Sequence, residues 1–363
     1  HHHADVEEAF VIDMGGTTTD VISMRDGRPA LDPKGARIGD LQIMVEAIDA
    51  HTVGLGGDSE IRLDESGDLI AGPRRVVPLC LLAQQHPSVL STLQQEVDRT
   101  IDEVEASRQG DRASFLLRQR QLVDGQGGLA PRQREVWDSL EGGPVSLSRL
   151  LREVEHPALY RECVSQLIAV GLVVIGSFTP TDAVHVLGRY DRWSVEAARL
   201  GATLWARRFE IGAEQFSENV VRQVEIQLGG VVISSALAEE AAPMPMARDG
   251  VGQLFIDRAL RADGGGNFSV SVNMQRPLVA SGAPVGNYLP PVAERLNAGL
   301  FIPEHAEVRN ALGAVVGGVV QRVRVLIQPL LAGSIYRAHL PLSLIHISEP
   351  TRRTIPSRMP SSA

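Results

Sequence analysis

The stretch of residues 11–20, with the sequence VIDMGGTTTD, constrains the fold more than any other part of the chain. A short apolar run ends at Asp13, which predicts a β-strand that runs into a tight turn. The turn carries two glycines and two threonines: Gly15, Gly16, Thr17 and Thr18. Glycines bring backbone N–H groups onto an anion, threonines add hydroxyl donors, and a carboxylate at the strand end suits Mg²⁺. The stretch therefore predicts a phosphate-binding hairpin or, without a ligand, an ordinary glycine-rich turn.

Composition limits the partners and compartments to be considered. The chain has 363 residues, enough for two or more domains, and its 44% hydrophobic and 22% charged residues are typical of a soluble globular protein. A net charge of −9 argues against nucleic acid as a partner, and the apolar runs look too short to span a membrane. Cys80 and Cys163 are too few for a disulfide framework, so we expect a cytoplasmic protein with both cysteines in its core.

A distinct helical segment follows the first 85 residues. The apolar spacing over residues 86–120 predicts an amphipathic helix, and residues 131–140, 146–154 and 158–170 predict three more, followed by a strand. Ser146 is the expected N-cap of the second of these three. Three short helices and a strand are typical of a winged helix, which leaves a nucleotide-responsive DNA-binding regulator as an alternative function. The mixed charges of residues 144–155 favour an interaction or spacer insertion over DNA binding.

A second glycine-rich turn, TVGLGGDS, occupies residues 52–59. Gly56 and Gly57 are candidates for a second anion-binding nest, the alternative being a purely structural loop. Just before this turn, Asp49 and His51 alternate along an extended segment, so their side chains are able to point the same way. Such a pair suits a divalent metal ion or acid–base chemistry, although a hydrogen-bonded turn histidine is the more common case.

A third candidate ligand-binding motif follows an apolar strand near residue 280. Gly282, Ala283 and Pro284 at the strand end would let a flat ligand lie against the backbone. Residues 254–256 predict another short strand, and residues 308–320 predict a helix of small residues. At the PTDAVH turn, Thr181 is the expected helix cap. Asp182 is then in the first helical turn, and we expect His185 to be a surface histidine.

These motifs, taken in order, resemble the hydantoinase A/oxoprolinase family. The segments that carry the resemblance are VIDMGGTTTDV, AIDAHTVGLGGDS, AGPRRVVPLC, FTPTDAVHVLG, GAPVGNYLPPVAERL and IPEHAEVRNALGAVVGG. The resemblance extends from residue 9 to about residue 341. It implies an α/β fold of the actin-like ATPase (ribonuclease H-like) type, incomplete here, with a helical and winged-helix-like insertion. It also implies an enzyme that spends ATP to open a cyclic amide such as 5-oxoproline or a hydantoin, or the ATP-using subunit of an acetone- or acetophenone-type carboxylase.

The resemblance implies roles for individual residues. Asp13, with the glycines and threonines of the turn, would hold phosphate and Mg²⁺, and Asp20 would close the hairpin and position water or Lys34. Gly282, Ala283 and Pro284 would border the adenosine of ATP. The resemblance further implies a hydantoinase B-type partner subunit or domain.

Four segments are expected on this basis. Residues 1–85 would be the hairpin part of the actin-like domain, 86–176 the insertion, 177–341 the rest of that domain, and 342–363 an artefact. The last assignment rests on LSLIHISEPTR, which is a common sequencing adapter translated in frame. The family's first phosphate loop belongs to a preceding domain, so part of the ATP site is expected to lie outside this chain.

Overall fold

The computed structural model describes residues 6–32, 37–38, 41–42, 47–100, 109–121, 128–240, 250–261, 267–308, 326–331, 335–340 and 343–348. The chain divides into two compact units, His1–Asn310 and Ala311–Ala363. The candidate site lies in the first unit.

The strands of the first unit form several sheets. In chain order they are β1 (Ala9–Met14), β2 (Thr19–Arg25), β3 (Arg28–Pro29), β4 (Leu31–Asp32), β5 (Arg37–Ile38), β6 (Leu41–Gln42), β7 (Ala47–Ile48), β8 (Ala50–Val53), β9 (Ser59–Leu63), β10 (Leu69–Arg75), β11 (Val77–Pro78), β12 (Phe115–Arg118), β13 (Val145–Ser146), β14 (Val173–Ser177), β15 (Leu278–Ser281) and β16 (Leu300–Phe301).

The largest sheet is mixed, with the order β16-β15-β1-β2-β3 and with β8 paired to β2. β1 runs parallel to β15 and antiparallel to β2. Phe10, Ile12 and Met14 alternate along β1 and are fully buried, which fixes the register because a slip of one residue would turn them out of the core. Sheets and helices alternate along the chain, so the predicted α/β class is confirmed.

The helices of the first unit are short, with one exception. They are α1 (Leu79–Gln85), α2 (Ser88–Asp98), α3 (Gln109–Arg112), α4 (Pro131–Ser139), α5 (Leu147–Arg152), α6 (Pro157–Ala169), α7 (Pro180–Val186), α8 (Val195–Ala206), α9 (Ala213–Glu240), α10 (Gly250–Leu260) and α11 (Val285–Arg295).

The exception, α9, forms the centre of the main core. It packs against α7, α8, α10 and α11 and against strand β10. Within the described part of the chain it is the one helix long and apolar enough to cross a membrane by length and composition, but 56% of its most apolar window is buried inside the protein. A buried core helix of a soluble protein has the same properties.

The predicted insertion has a hydrophobic core of its own. Val136, Trp137, Leu150 and Leu167 are among its buried members, and this core is separate from the main one. The three predicted helices are confirmed as α4, α5 and α6, and Ser146 caps α5 by accepting a hydrogen bond from the Arg149 N–H at 3.3 Å. β12, β13 and β14 form an antiparallel sheet beside them.

The basic side chains of α5 are engaged in ion pairs. Arg149 contacts Glu153 at 2.9 Å, and Arg152 contacts Glu96 of α2 at 2.9 Å. Both arginines of α5 are therefore paired with carboxylates, and the regulator hypothesis stays a prediction.

Two local predictions are wrong because tertiary contacts override local pattern. Residues 115–118, expected in a helix, form β12, since they pair with β14. Residues 254–256, expected in a strand, lie in α10, where Gly252, Ile256 and Leu260 are buried at four-residue spacing. Leu260 packs onto Gly229 of α9, so a helical period was present and was missed. The helix expected at 308–320 lies outside the described residues.

The second unit contains three described strands, β17 (Leu326–Leu331), β18 (Ile335–Leu340) and β19 (Ser343–Ser348), paired antiparallel in that order. β19 falls within the segment that the sequence interpretation assigns to an adapter. The four-segment division of the chain stays a prediction.

Candidate functional site

The glycine-rich hairpin predicted from the sequence is present between β1 and β2. The Gly15 N–H donates to the Thr18 carbonyl at 2.9 Å, which closes the turn. Asp13 and Asp20 are register partners across the two strands. Because cross-strand partners share a face of the sheet, the two carboxylates lie on the same side, one strand spacing apart.

This pair of carboxylates belongs to a longer polar row. Ser281 of β15 is in register with Asp13, and Thr52 of β8 is in register with Asp20. The Thr52 hydroxyl donates a short hydrogen bond to Asp20 Oδ1, which orients that carboxylate. Thr52 was quoted in the sequence motif but given no role; only the strand register reveals its contact.

The second glycine-rich turn packs directly on the hairpin, and this explains its glycines. The Gly57 N–H donates to the Gly15 carbonyl at 3.1 Å, and the Asp58 N–H donates to the Gly16 carbonyl at 2.7 Å. A Cβ on Gly56 would lie 2.5 Å from the Gly16 carbonyl carbon, so no other residue fits without moving the hairpin. The two motifs form one backbone platform.

The third motif closes the same platform from the β15 side. Gly282 has a φ of +97°, and a Cβ there would lie 1.9 Å from the Met14 carbonyl oxygen at the end of β1. Ala283 is exposed and Pro284 is half-buried, immediately before α11. The structure thus brings the predicted Gly282, Ala283 and Pro284 next to the hairpin.

The PTDAVH turn is joined to this platform by hydrogen bonds to Gly57. Thr181 donates to the Gly57 carbonyl through both its hydroxyl (2.8 Å) and its N–H (2.9 Å). The N-cap of α7 is Thr179 and not the predicted Thr181, whose hydroxyl is occupied by Gly57. The fully buried Asp182 completes the capping box.

Asp182 also joins two distant parts of the chain. Its carboxylate accepts hydrogen bonds from the N–H groups of Leu79 (3.1 Å) and Cys80 (2.7 Å) at the start of α1. Burial raises the pKa of Asp182, and these hydrogen bonds oppose that rise.

Cys80 is buried, so the prediction of a core cysteine is confirmed at this position, and burial raises the pKa of its thiol. Cys163 is only partly buried.

The expectation of a surface histidine at position 185 is wrong. His185 is fully buried, its Nδ1 lies 2.7 Å from the Thr181 carbonyl, and its Nε2 lies 3.3 Å from the Trp193 N–H. Its ring stacks on Trp193, with 5.7 Å between the centroids. One ring nitrogen therefore donates and the other accepts, which is the arrangement of a neutral imidazole that positions its neighbours.

A cavity of about 550 Å³ opens where these motifs meet. Its lining includes the predicted Gly16, Gly57, Ala283 and Pro284. Aromatic and polar side chains not predicted as site residues complete it: Tyr190, Trp193, Tyr288, Asn287, Arg192, Glu307 and Asp58. The volume and the mixture of aromatic walls with a few polar groups suit a small-molecule ligand.

The carboxylate of Asp58 lies against the glycine platform. A Cβ on Gly16 would lie 2.6 Å from Asp58 Oδ2, so the carboxylate covers the hairpin turn. Burial raises the pKa of Asp58, and Arg75, whose guanidinium lies 3.1 Å away, acts in the opposite direction. Arg75 therefore holds the carboxylate in place beside the cavity.

The structure does not bring Asp49 and His51 to Asp13. His51 is in register with Val21, one residue out of step with the Asp13–Asp20 row, so it lies on the other face of the sheet. β2 also separates β8 from β1, a distance of roughly 10 Å. Both residues are exposed, and the described residues contain no cluster of three metal-ligating side chains.

Comparison with known proteins bears on the first part of the chain. Residues 1–78 match the model of the hydantoinase/oxoprolinase family, which confirms the resemblance for this segment. No curated protein sequence matches the chain.

Among solved structures, the chain is similar to the nucleotide-free structure of acetone carboxylase, an enzyme of ATP-dependent acetone carboxylation (12% identity, TM-score 0.48, 89% of this chain and 31% of that one). It is also similar to the ATP-dependent caprolactamase from Pseudomonas jessenii (16% identity, TM-score 0.43, 89% of this chain and 32% of that one). The chain thus spans about a third of the length of these two proteins.

Proposed function

We propose that this chain, which carries a hydantoinase/oxoprolinase segment at residues 1–78, is the ATP-using part of an enzyme that opens a cyclic amide. The observation that carries the proposal is the meeting of three glycine-rich motifs at one cavity. They are far apart in the sequence. At Gly56 and at Gly282 the backbone lies so close to the backbone of the hairpin motif that a Cβ would not fit. Such a platform is suited to phosphate groups.

The phosphate end of the proposed site is the hairpin. Gly15, Gly16, Thr17 and Thr18 would hold the phosphates, with Gly56 and Gly57 behind them. Asp13 and Asp20 would hold Mg²⁺, which when bound neutralises phosphate charge. The β1–β2 hairpin beside the parallel strands β15 and β16 supports the actin-like form of the α/β fold.

The adenosine end of the proposed site is the aromatic wall. Ala283 and Pro284 would border the base, and Tyr190 and Trp193 offer faces on which a flat ring stacks. Asn287 provides an amide that both donates and accepts. None of these side chains is charged, so they would recognise the base by stacking and by hydrogen bonds of the Asn287 amide.

The proposed reaction transfers the γ-phosphoryl group of ATP to the amide oxygen of a 5-oxoproline or hydantoin ring, with release of ADP. Water then attacks the phosphorylated carbon, and the ring C–N bond breaks as the nitrogen takes a proton, which leaves an acyl phosphate. A second water hydrolyses the acyl phosphate to the carboxylate and inorganic phosphate. A hydantoinase B-type partner would complete this second step. The carboxylase alternative differs in its acceptor, a ketone enolate oxygen, and is tested by the same assay.

Replacing Asp13 by asparagine is expected to abolish ATP use while the protein stays folded. The carboxylate charge at the strand end would be lost, and removal of one such group costs roughly 100-fold or more in turnover. We would measure Mg²⁺-dependent ADP release by the full-length gene product that contains this chain, together with its hydantoinase B-type subunit, offering 5-oxoproline, hydantoins, or acetone with bicarbonate.

The matched control is Asp26→Asn in the turn between β2 and β3. Asp26 is exposed at a turn with a φ of 51°, a conformation that asparagine accepts readily. It should keep wild-type turnover. Stimulation by a ketone with bicarbonate alone would move the proposal to the carboxylases, and equal activity of both variants would remove Asp13 from the site.

Tyr288→Phe is expected to raise the free energy of unfolding but to lower the affinity for ATP. Tyr288 is 1% exposed, lines the cavity, and its hydroxyl has no hydrogen-bond partner within the described structure. An unpaired buried hydroxyl costs free energy, so its removal should raise the free energy of unfolding of the ligand-free protein by about 1 kcal/mol. If the hydroxyl binds nucleotide, ATP affinity should fall by about tenfold.

Urea denaturation and calorimetric titration with ATP and Mg²⁺ measure the two effects. Tyr190→Phe, on the same cavity but 37% exposed, is the control and should change neither quantity much. A Tyr288→Phe protein that binds ATP as tightly as the wild type would show that the hydroxyl does not face the nucleotide.

A further inference from the structure

A second cavity, of about 590 Å³, lies between the β9–β10 hairpin and the insertion. Its walls come from β9, β10 and β14, from α3 and α6, and from the end of α8. None of the residues that line it lines the candidate site. Its volume is that of a small-molecule site, and the proposed function leaves it unused.

The lining of this cavity is positively charged. Four arginines and two carboxylates line it: Arg62, Arg74, Arg161, Arg208, Glu60 and Asp111. Each carboxylate pairs with an arginine of the lining, Glu60 with Arg74 at 2.7 Å and Asp111 with Arg161 at 3.0 Å. A positive pocket in a chain of net charge −9 concentrates anions locally.

A buried hydrogen-bond donor at the same cavity lacks an acceptor. Trp205 is 6% exposed and lines the cavity, and its Nε1 has no partner within the described part of the chain. The indole edge next to Nε1 faces Gly110, which also lines the cavity: a Cβ on Gly110 would lie 2.8 Å from Trp205 Cζ2. Buried donors are almost always paired, so this one indicates an acceptor supplied by a ligand.

The remaining wall is apolar. Ile61 of β9, Val164 and Ile168 of α6 and Ile175 of β14 also line the cavity. Arg62 is anchored by its Nε to the Gly72 carbonyl at 2.9 Å while its side chain remains exposed. A ligand with an acidic group and a short carbon skeleton would satisfy both the charged and the apolar parts.

We propose that this cavity is a second ligand site, separate from the candidate nucleotide site, that binds a small organic anion through the arginines and the Trp205 N–H. A carboxylate or a phosphate ester would present the same oxygen acceptors to these donors. The site stands independently of the proposed cyclic-amide activity.

The test is calorimetric titration of the full chain with succinate, glycerol 3-phosphate and inorganic phosphate. We expect at least one to bind with a dissociation constant of about 1 mM or tighter. Arg62→Met, which removes the charge and keeps the aliphatic stem, should weaken this binding at least tenfold. The matched control is Arg149→Met, an exposed arginine outside the cavity, which should bind as the wild type does.

A second variant tests the same site if Arg62→Met fails to fold. Trp205→Phe removes the N–H but keeps an aromatic ring against Phe216, on which Trp205 stacks. It should also weaken binding while the far-ultraviolet circular dichroism stays unchanged. Succinate binding alone would identify a dicarboxylate site, and glycerol 3-phosphate binding alone a phosphate ester site. Absence of binding by all three probes, or equal weakening by Arg62→Met and Arg149→Met, would overturn the proposal.

Discussion

A Gly282→Ala variant is expected to lose about 4 kcal/mol or more of its free energy of unfolding. The added Cβ would lie 1.9 Å from the Met14 carbonyl oxygen and 2.7 Å from its carbon, and the φ of +97° is one that alanine rarely adopts. Both atoms belong to the backbone of the central strand β1, so a side-chain rotation cannot relieve the clash. The strand end, which leads directly into the hairpin turn, must move.

Because β1 carries the hairpin, this change should damage the candidate site even in molecules that remain folded. We would measure unfolding by urea with circular dichroism, and ATP binding by calorimetry at a temperature where the variant is folded. Gly286→Ala in α11 is the matched control, since a Cβ there meets nothing within 4 Å. It should stabilise the protein by roughly 0.5–1 kcal/mol through helix propensity. Equal stability of the two variants would show that β15 does not approach β1 as described.

The hairpin could be predicted from the sequence because its signal is local. An apolar run, an acidic residue and a pair of glycines specify a strand and a turn without reference to any other part of the chain. Gly282 was also singled out, but for contact with a ligand. Its steric role depends on β15 lying parallel to β1, a pairing across about 270 residues that no local pattern contains.

The buried polar groups around the site could not be predicted for the same reason. Asp182 and His185 have an ordinary capping sequence, and only the packing of α7 among α1, α8 and α9 buries them. The unpaired hydroxyl of Tyr288 likewise follows only from the packing of α11. Asp49 and His51 show the opposite error: an alternating pair suggested shared ligands, whereas strand order places them away from Asp13.

The second large effect is expected at Glu96 of α2, which contacts α3 and α5. Its side chain is 5% exposed and accepts hydrogen bonds from side chains of these two helices. Arg112 Nε lies 3.2 Å from it, Ser148 Oγ 2.9 Å and Arg152 2.9 Å. Arg112 is itself only 2% exposed. Glu96→Gln keeps the shape but removes a negative charge that pairs with a buried guanidinium, which should cost about 3–5 kcal/mol of the free energy of unfolding.

Glu153→Gln is the matched control for this change. Glu153 also pairs with an arginine of α5, but its side chain is 61% exposed, and exposed pairs contribute less than about 1 kcal/mol. Urea denaturation at pH 7 should therefore separate the two variants clearly. Similar losses in both would mean that Glu96 does not hold α2 to α3 and α5.

The pH dependence of stability tests whether Glu96 is charged in the folded protein. Burial by itself raises the pKa of Glu96, but hydrogen bonds from Arg152, Ser148 and Arg112 outweigh burial and leave the pKa below its usual value. A carboxyl whose pKa is lowered on folding adds stability that is complete above the unfolded pKa, about 4.3, and is lost as the pH falls through the folded value. The wild type should therefore lose stability below about pH 4.5, and Glu96→Gln should lose less over the same interval because the titrating group is gone. Glu153→Gln should keep the wild-type slope, so parallel acid limbs for wild type and Glu96→Gln would show that Glu96 is not charged in the folded protein.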